Sequence, residues 1–450
     1  MNTGFRFQCN PKYRILNEDQ IKTIHRATLQ LLENTGVSVK HPEAIELLTS
    51  AGCRIKSGDI VQIPGALVEE CIESAPSCII IYDRNGLKAM HLEGSNVHFG
   101  LGTDLLQTYD PESGELGPSR LQDVVNAARI ADYFEEIDFV ASFAHPHEVP
   151  VNLSYTESFK AQIENTVKPI FFTAAGAEDL GVIADMAAVV AGSRDGLIEK
   201  PFLIHYSEPT SPLTHSPGAI QKLFYCADNR IPVNYTPGML SGASGPVTQA
   251  GAITVANAEA LSGIVLHQLR SGGAPIISGF GISTMDMARG TPIYGCPEYR
   301  LALSACADLY HFYGIPMWGT AGVSDAHCLD QQAAMEMAIS LLMAGLDGAN
   351  LVHDVGYLGQ GLIGSAASIV MNAEIISYVK RILRGFDIDP DRIGLDVIEQ
   401  VGPGGNFLTT EQTMAWHRHE HWRPMVANRA NLEQWVAEGQ KKVAAIAAAK

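Results

Sequence analysis

The segment His205–Leu213 (HYSEPTSPL) sets an imidazole, a phenol and a carboxylate close together in His205, Tyr206 and Glu208, and prolines 209 and 212 stiffen the exit. Such a set could face a substrate. Equally, Glu208 could cap a neighbouring helix and His205 could be a satisfied core histidine. A second group, Asp325, His327, Cys328 and Asp330 within Gly319–Asp330 (GTAGVSDAHCLD), carries the atom types of a metal site. Catalytic zinc needs three N, O or S ligands and an open position. No zinc spacing matches, however, and Asp330 is placed to cap a helix beginning at Gln331. A third group is His353–Asp354, followed by the glycine-rich Gly356–Gly364. It offers donors to a substrate anion, or a structural His–Asp pair. The small residues of Pro237–Gln249 lack the spacing of a Walker loop or a dinucleotide fingerprint. Aromatic residues are scarce, yet Phe99, Tyr206, Tyr235, Phe280, Trp318 and Tyr357 fall near the ends of apolar runs. Rings around one pocket turn negative faces toward a cation.

The elements that would position these residues follow a rhythm. Apolar runs at Val97–Leu101, Ile137–Phe143, Pro169–Thr173, Phe202–His205, Pro232–Tyr235, Pro275–Ser278, Pro316–Gly319 and Asn350–His353 each precede a helical-looking stretch. Eight such units predict an α/β fold, a closed (β/α)8 TIM barrel. Chemistry in barrels sits where strands end. The places to look are therefore Gly102–Asp104, His145–His147, His205–Glu208, Tyr235–Thr236, Thr320–Asp325 and His353–Asp354. Helices are expected near 121–135, 153–165, 178–193, 216–228, 249–271, 297–313, 328–346 and 365–385. An N-terminal α+β extension (1–95) opens with an amphipathic helix over 17–36, capped by Asn17. The barrel spans 96–386. A C-terminal helical extension (387–450) is irregular near Pro390 and Val401–Phe407, then forms one long helix, Asn431–Ala449, with a fraying tail over 441–450.

Composition narrows the class. With 450 residues, 46% of them hydrophobic and 18% charged, the chain reads as a compact enzyme. Stretches such as Met337–Leu346 are too short to span a bilayer, and the first residues lack the apolar core of a signal peptide, so a cytoplasmic location is expected. Eight cysteines without a CxxC pair read as mostly reduced core thiols. A net charge of −18 disfavours nucleic acid and anionic membranes and favours a cationic substrate.

Further segments carry a family likeness. They are IHRATLQLLENTGVSV (24–39), IPGALVEECIESAP (63–76), YSEPTSPL (206–213), PVTQAG (246–251), CPEYRLALSACADLYHFYGIP (296–316), SDAHCLDQQAAME (324–336) and EQVGPGGNFLTTEQT (399–413). On these, from about Leu16 to Gln440, the chain resembles the trimethylamine–corrinoid methyltransferase family. The resemblance implies a (β/α)8 barrel and transfer of a methyl group from a methylated amine to Co(I) of a corrinoid on a separate small protein. Cobalamin would then come with that partner, and this chain would hold no cofactor or metal. Archaeal trimethylamine enzymes of the family carry pyrrolysine at the barrel mouth, whereas this chain has only standard residues. In that it is similar to the non-pyrrolysine branch, which suits quaternary amines: glycine betaine first, proline betaine or carnitine as alternatives. A quaternary nitrogen already carries the charge that lets a neutral amine leave. The protein need only hold the cation, aim one methyl and exclude water. On this reading Glu208 and Asp325 are the catalytic candidates. Phe99, Asp104, His205, Tyr206, Tyr235, Trp318 and His353 are the substrate-binding ones, with His353 and the Gly356–Gly364 amides on the substrate carboxylate. A zinc-dependent methyltransferase and a non-catalytic betaine-binding protein are the rivals. A homo-oligomer is compatible with all of these.

Overall fold

The eight apolar runs form short parallel strands in the structure, a computed structural model that describes residues 12–450. They are β1 (His98–Leu101), β2 (Val140–Ala141), β3 (Ile170–Phe172), β4 (Leu203–Ser207), β5 (Val233–Tyr235), β6 (Ile276–Ser278), β7 (Trp318–Thr320) and β8 (Leu351–Val355). Each is followed by a long helix: α1 (Leu121–Tyr133), α2 (Ser154–Asn165), α3 (Ala177–Ala191), α4 (Pro217–Asp228), α5 (Gln249–Arg270), α6 (Pro297–Tyr313), α7 (Gln331–Asp347) and α8 (Ala366–Arg384). Strands β2 to β6 pair in chain order in one sheet, and β7, β8 and β1 form another. Single parallel bridges, Gly100–Phe139 and Ser278–Met317, join the two sheets on both sides. Followed from neighbour to neighbour, the pairing leaves β1 and returns to it. The strands are buried on both faces, which explains why they read as continuous apolar runs without alternation. One close approach demands glycine: a Cβ on Gly100 would sit 2.4 Å from the ring of Phe139.

The N-terminal segment grips the part of the chain that carries Glu208. Its strand Val37–Val39 pairs antiparallel with Ile60–Gln62 and parallel with Thr214–His215, the short strand after β4. Its helix Glu18–Asn34 opens with a capping box on Asn17 and packs against α5. A buried polar chain fixes that contact. His25 meets Glu69 at 2.7 Å and the Tyr313 hydroxyl at 3.1 Å, and Asn257 Nδ2 donates to the same hydroxyl at 2.9 Å. Covered on both sides, α5 is buried along most of its length.

The C-terminal segment departs from expectation. In place of one long helix, Leu432–Ala437 and Val443–Ala449 are separate, divided where Gly439 takes a φ of 83°. The terminal residues, expected to fray, are helical as far as Ala449, and Ala447 is buried against the core. Glu374 of α8 anchors the segment by accepting the amides of Met425 and Ala427 at 2.7 and 3.0 Å. Among the described residues the cysteines are unbridged: Cys53, Cys71, Cys226 and Cys306 are buried, Cys78 and Cys328 exposed. Cys9 and the first residues, on which the leader reading rests, lie outside the described residues. No described helix is long and apolar enough to cross a membrane.

Candidate active site

Inward-pointing residues of four strands meet as one ring cluster. Tyr206 of β4 lies 6.3 Å from Trp318 of β7 with the planes 11° apart. His353 of β8 stands edge-on to both, at 5.6 and 5.1 Å, and Phe171 of β3 lies 5.3 Å from Tyr206 and from His353. Inside this ring the Trp318 Nε1 and Asn234 Nδ2 donors have no protein partner.

Carboxylates surround the cluster on the side of the strand C-termini. The Tyr206 hydroxyl donates to Glu208 Oε2 at 3.0 Å. Glu208 is exposed, yet burial among protein atoms still raises its pKa. Its carboxylate is thus accessible at the strand ends. Asp354 is buried, holds a φ of 87° and lies 2.8 Å from His353 Nδ1, without hydrogen-bond alignment. Its charge acts on Tyr206, Tyr294 and Tyr357. A non-glycine residue in the left-handed region carries strain that a functional site can hold in place. Asp104, with a φ of 60°, accepts from Ser142 Oγ at 2.8 Å and Thr173 Oγ1 at 2.7 Å. Burial outweighs both bonds and raises its pKa. Beside it the Tyr357 hydroxyl donates to the Thr103 carbonyl, and the ring fills the space where a Cβ on Gly102 would come within 2.2 Å. The site is acidic and aromatic, a combination that accepts an organic cation.

Tyr206, Glu208, Trp318 and His353 are brought together, with Asp104 beside the neighbouring strand ends. Four sequence candidates need correction. Phe99 pairs in register with Val352, one residue short of His353, so it lies on the outer face of the strands. His205 also points outward, 5.0 Å from Phe172, which packs on Phe159 of α2; burial lowers its pKa, so it is neutral. Tyr235 pairs with Ser207 and faces α5, its hydroxyl 2.8 Å from His215 Nδ1 and its ring against Gly263. Asp325 accepts the amides of Tyr294 and Gly295 at 2.9 and 2.8 Å, one on each oxygen, so it positions a loop.

Asp330 caps α7 through the Ala333 amide, and no group of three or more His, Cys, Asp or Glu side chains able to hold a metal occurs among the described residues. Three amides of the glycine-rich loop are already engaged: those of Gly359, Gln360 and Leu362 are bonded to the carbonyls of Ala326, Ser324 and Leu358. Sequence reasoning missed Phe171 and Tyr294. Phe171 could have been found from the strand it shares with the chemistry-bearing ends. Tyr294 sits in an irregular connection and left no periodic signal.

Parallel strands alternating with helices, with reactive side chains gathered at the strand C-termini, are the build of an α/β enzyme. Comparison with known proteins gives the chemistry its class. The model of the trimethylamine methyltransferase (MTTB) family matches residues 4–450, and the chain belongs to that family of methyltransferases. It is 32% identical over 429 residues to the trimethylamine methyltransferase MttB of Desulfitobacterium hafniense, covering 94% of this chain and 86% of the relative. It is 31% identical over 435 residues to a glycine betaine methyltransferase of the same species, covering 96% and 90%. The trimethylamine methyltransferase MttB2 of Methanosarcina mazei is 32% identical over 458 residues, covering 99% and 91%. The crystal structure of the monomethylamine methyltransferase of Methanosarcina barkeri superposes with a TM-score of 0.53 at 9% identity, covering 98% of this chain and 88% of that one. That likeness concerns the fold alone.

Proposed function

We propose that the chain takes a methyl group from a small quaternary amine, glycine betaine foremost, and passes it to Co(I) of a corrinoid carried by a separate protein. The observation that carries this reading is the pairing of the Tyr206–Trp318–His353 ring cluster with the Glu208 and Asp354 carboxylates at the accessible strand ends. Relatives named for trimethylamine and for glycine betaine stand at 32% and 31% identity, so identity does not choose between them. The site's chemistry favours the quaternary donor. A fixed positive charge suits rings and carboxylates, and a quaternary donor carries that charge at every pH.

The returning order of strands is read here as a closed (β/α)8 barrel over 96–386, with 1–95 and 387–450 as its extensions. In the reaction one N–CH3 bond breaks and its electron pair stays on nitrogen, which leaves as a neutral tertiary amine. The electron pair of Co(I) forms the new bond to carbon. No proton moves, so no side chain must act as an acid or base. Tyr206, Trp318 and Glu208 bind and orient the ammonium, while the walls of the cleft exclude water. Charge leaves nitrogen in the transition state, so a very tight cage would favour the substrate over the transition state and slow transfer. Sharing Glu208 with the Tyr206 hydroxyl keeps that grip moderate. The test is methyl transfer to a Co(I) corrinoid protein from glycine betaine, proline betaine, carnitine and trimethylamine in parallel. Turnover of a quaternary amine supports the reading, and turnover of trimethylamine alone overturns it.

A further inference from the structure

We propose that Lys222 recognises the anionic end of the substrate and makes the site selective for quaternary amines that bear a carboxylate. This rests on the reading above that the site takes a quaternary amine. Lys222 is half-buried on α4, and its Nζ donates to the Ala174 carbonyl at 3.0 Å, just beyond the end of β3. The side chain therefore reaches the end of β3 beside Thr173, whose hydroxyl donates to Asp104 at 2.7 Å, and its charge acts on Cys226, Glu208 and Asp104. An ammonium has three donors. Among the described residues the Ala174 carbonyl takes one of them and no carboxylate comes within ion-pair distance. Burial lowers the Lys222 pKa, a cost that an incoming carboxylate would offset in part.

Two other buried cations of the strand layer are engaged elsewhere, although Arg300 keeps its Nε without a partner. Arg300 spends Nη1 on the Thr320 carbonyl at 2.7 Å and Nη2 on that of Tyr294 at 3.5 Å, and it stacks on Tyr299 at 4.5 Å. Lys168 gives all three donors, at 2.6 Å each, to the carbonyls of Ala131, Phe134 and Ile137, which precede β2. His353, expected from sequence to hold a carboxylate, already has that of Asp354 at 2.8 Å from its Nδ1. Glu208 and Lys222 then form a polarised pair matched to a zwitterion, with the ammonium toward Glu208 and Tyr206 and the carboxylate toward Lys222.

The test is calorimetric binding of glycine betaine and of tetramethylammonium, a quaternary cation without a carboxylate, to the full chain and to Lys222→Met and Lys222→Arg. One charge-assisted hydrogen bond corresponds to about tenfold or more in affinity. Glycine betaine affinity should fall by at least that factor in Lys222→Met and be largely retained in Lys222→Arg, with tetramethylammonium binding unchanged throughout. Unchanged betaine binding in Lys222→Met overturns the assignment. So does an equal loss of both ligands, which Lys222→Arg separates from a folding defect by keeping the charge and most of the packing. Betaine binding that depends on Lys222, without methyl transfer to any corrinoid protein, would overturn the proposed function and leave this assignment standing. Methyl transfer that is equal in the parent and Lys222→Met would do the reverse.

Discussion

Single residues at the strand ends decide what the site can hold. Burial raises the pKa of Glu208, and only its ionised form attracts a cation. Substrate affinity should therefore rise with pH through that raised pKa and then level off. Glu208→Gln should bind more weakly at neutral pH and lose the pH dependence, checked by binding measured across pH. A dependence that persists in Glu208→Gln would assign the titration to another group. Trp318→Ala removes a ring face and should cost roughly 1–2 kcal/mol of binding, near tenfold in affinity, in the same titration. Tyr206 and Trp318 could be named from sequence because a barrel reading points to strand ends, and the structure brings the two rings together on the inner face. Phe99, His205 and Tyr235 lie one residue out of phase. In strands buried on both faces, composition does not mark which side is inner, and a one-residue difference turns a side chain from the cleft to the helices. Asp325 shows a second limit. A carboxylate in a polar loop looks the same in sequence whether it meets a substrate or ties down two backbone amides.

At the level of elements, the connection that carries Glu208 is held from beneath. Glu259 of α5 accepts from Ser211 Oγ at 2.6 Å and from the Leu213 amide at 2.9 Å, and burial raises its pKa from 4.5 to about 7. The fold keeps this proton where the unfolded chain has lost it, so stability should fall as pH rises from about 4.5 to about 7. The loss is on the order of 3 kcal/mol. Asp347, raised to about 7 by burial beside Ser304, adds to the same window. Thermal unfolding of Glu259→Gln followed across that range should show a shallower decline than the parent; identical slopes would remove Glu259 from the balance. Elements also set the reach of sequence reasoning. All eight strands and their helices were readable because apolar runs and amphipathic stretches alternate regularly. The break at Gly439 was passed over, although glycine is the usual residue just past a helix end and here takes the left-handed conformation.

For the whole molecule, the returning order of strands, the N-terminal clasp and the family relationship support the same reading. The chain spans 86–91% of the three relatives described, and the order of its segments is theirs. Val37–Val39, at the far end of the sequence from α6, secures the strand that follows Glu208, so the extension belongs to the site's support. The family was legible because many segments agree at once. The substrate was not, because it depends on a few side chains whose facing only the fold determines. The most direct measurement is the visible spectrum of a Co(I) corrinoid protein mixed with this chain and glycine betaine, with trimethylamine as the comparison. Methyl-Co(III) should appear with glycine betaine and not with trimethylamine. Appearance with trimethylamine alone, or with none of the quaternary amines, would contradict a site built for a quaternary ammonium donor.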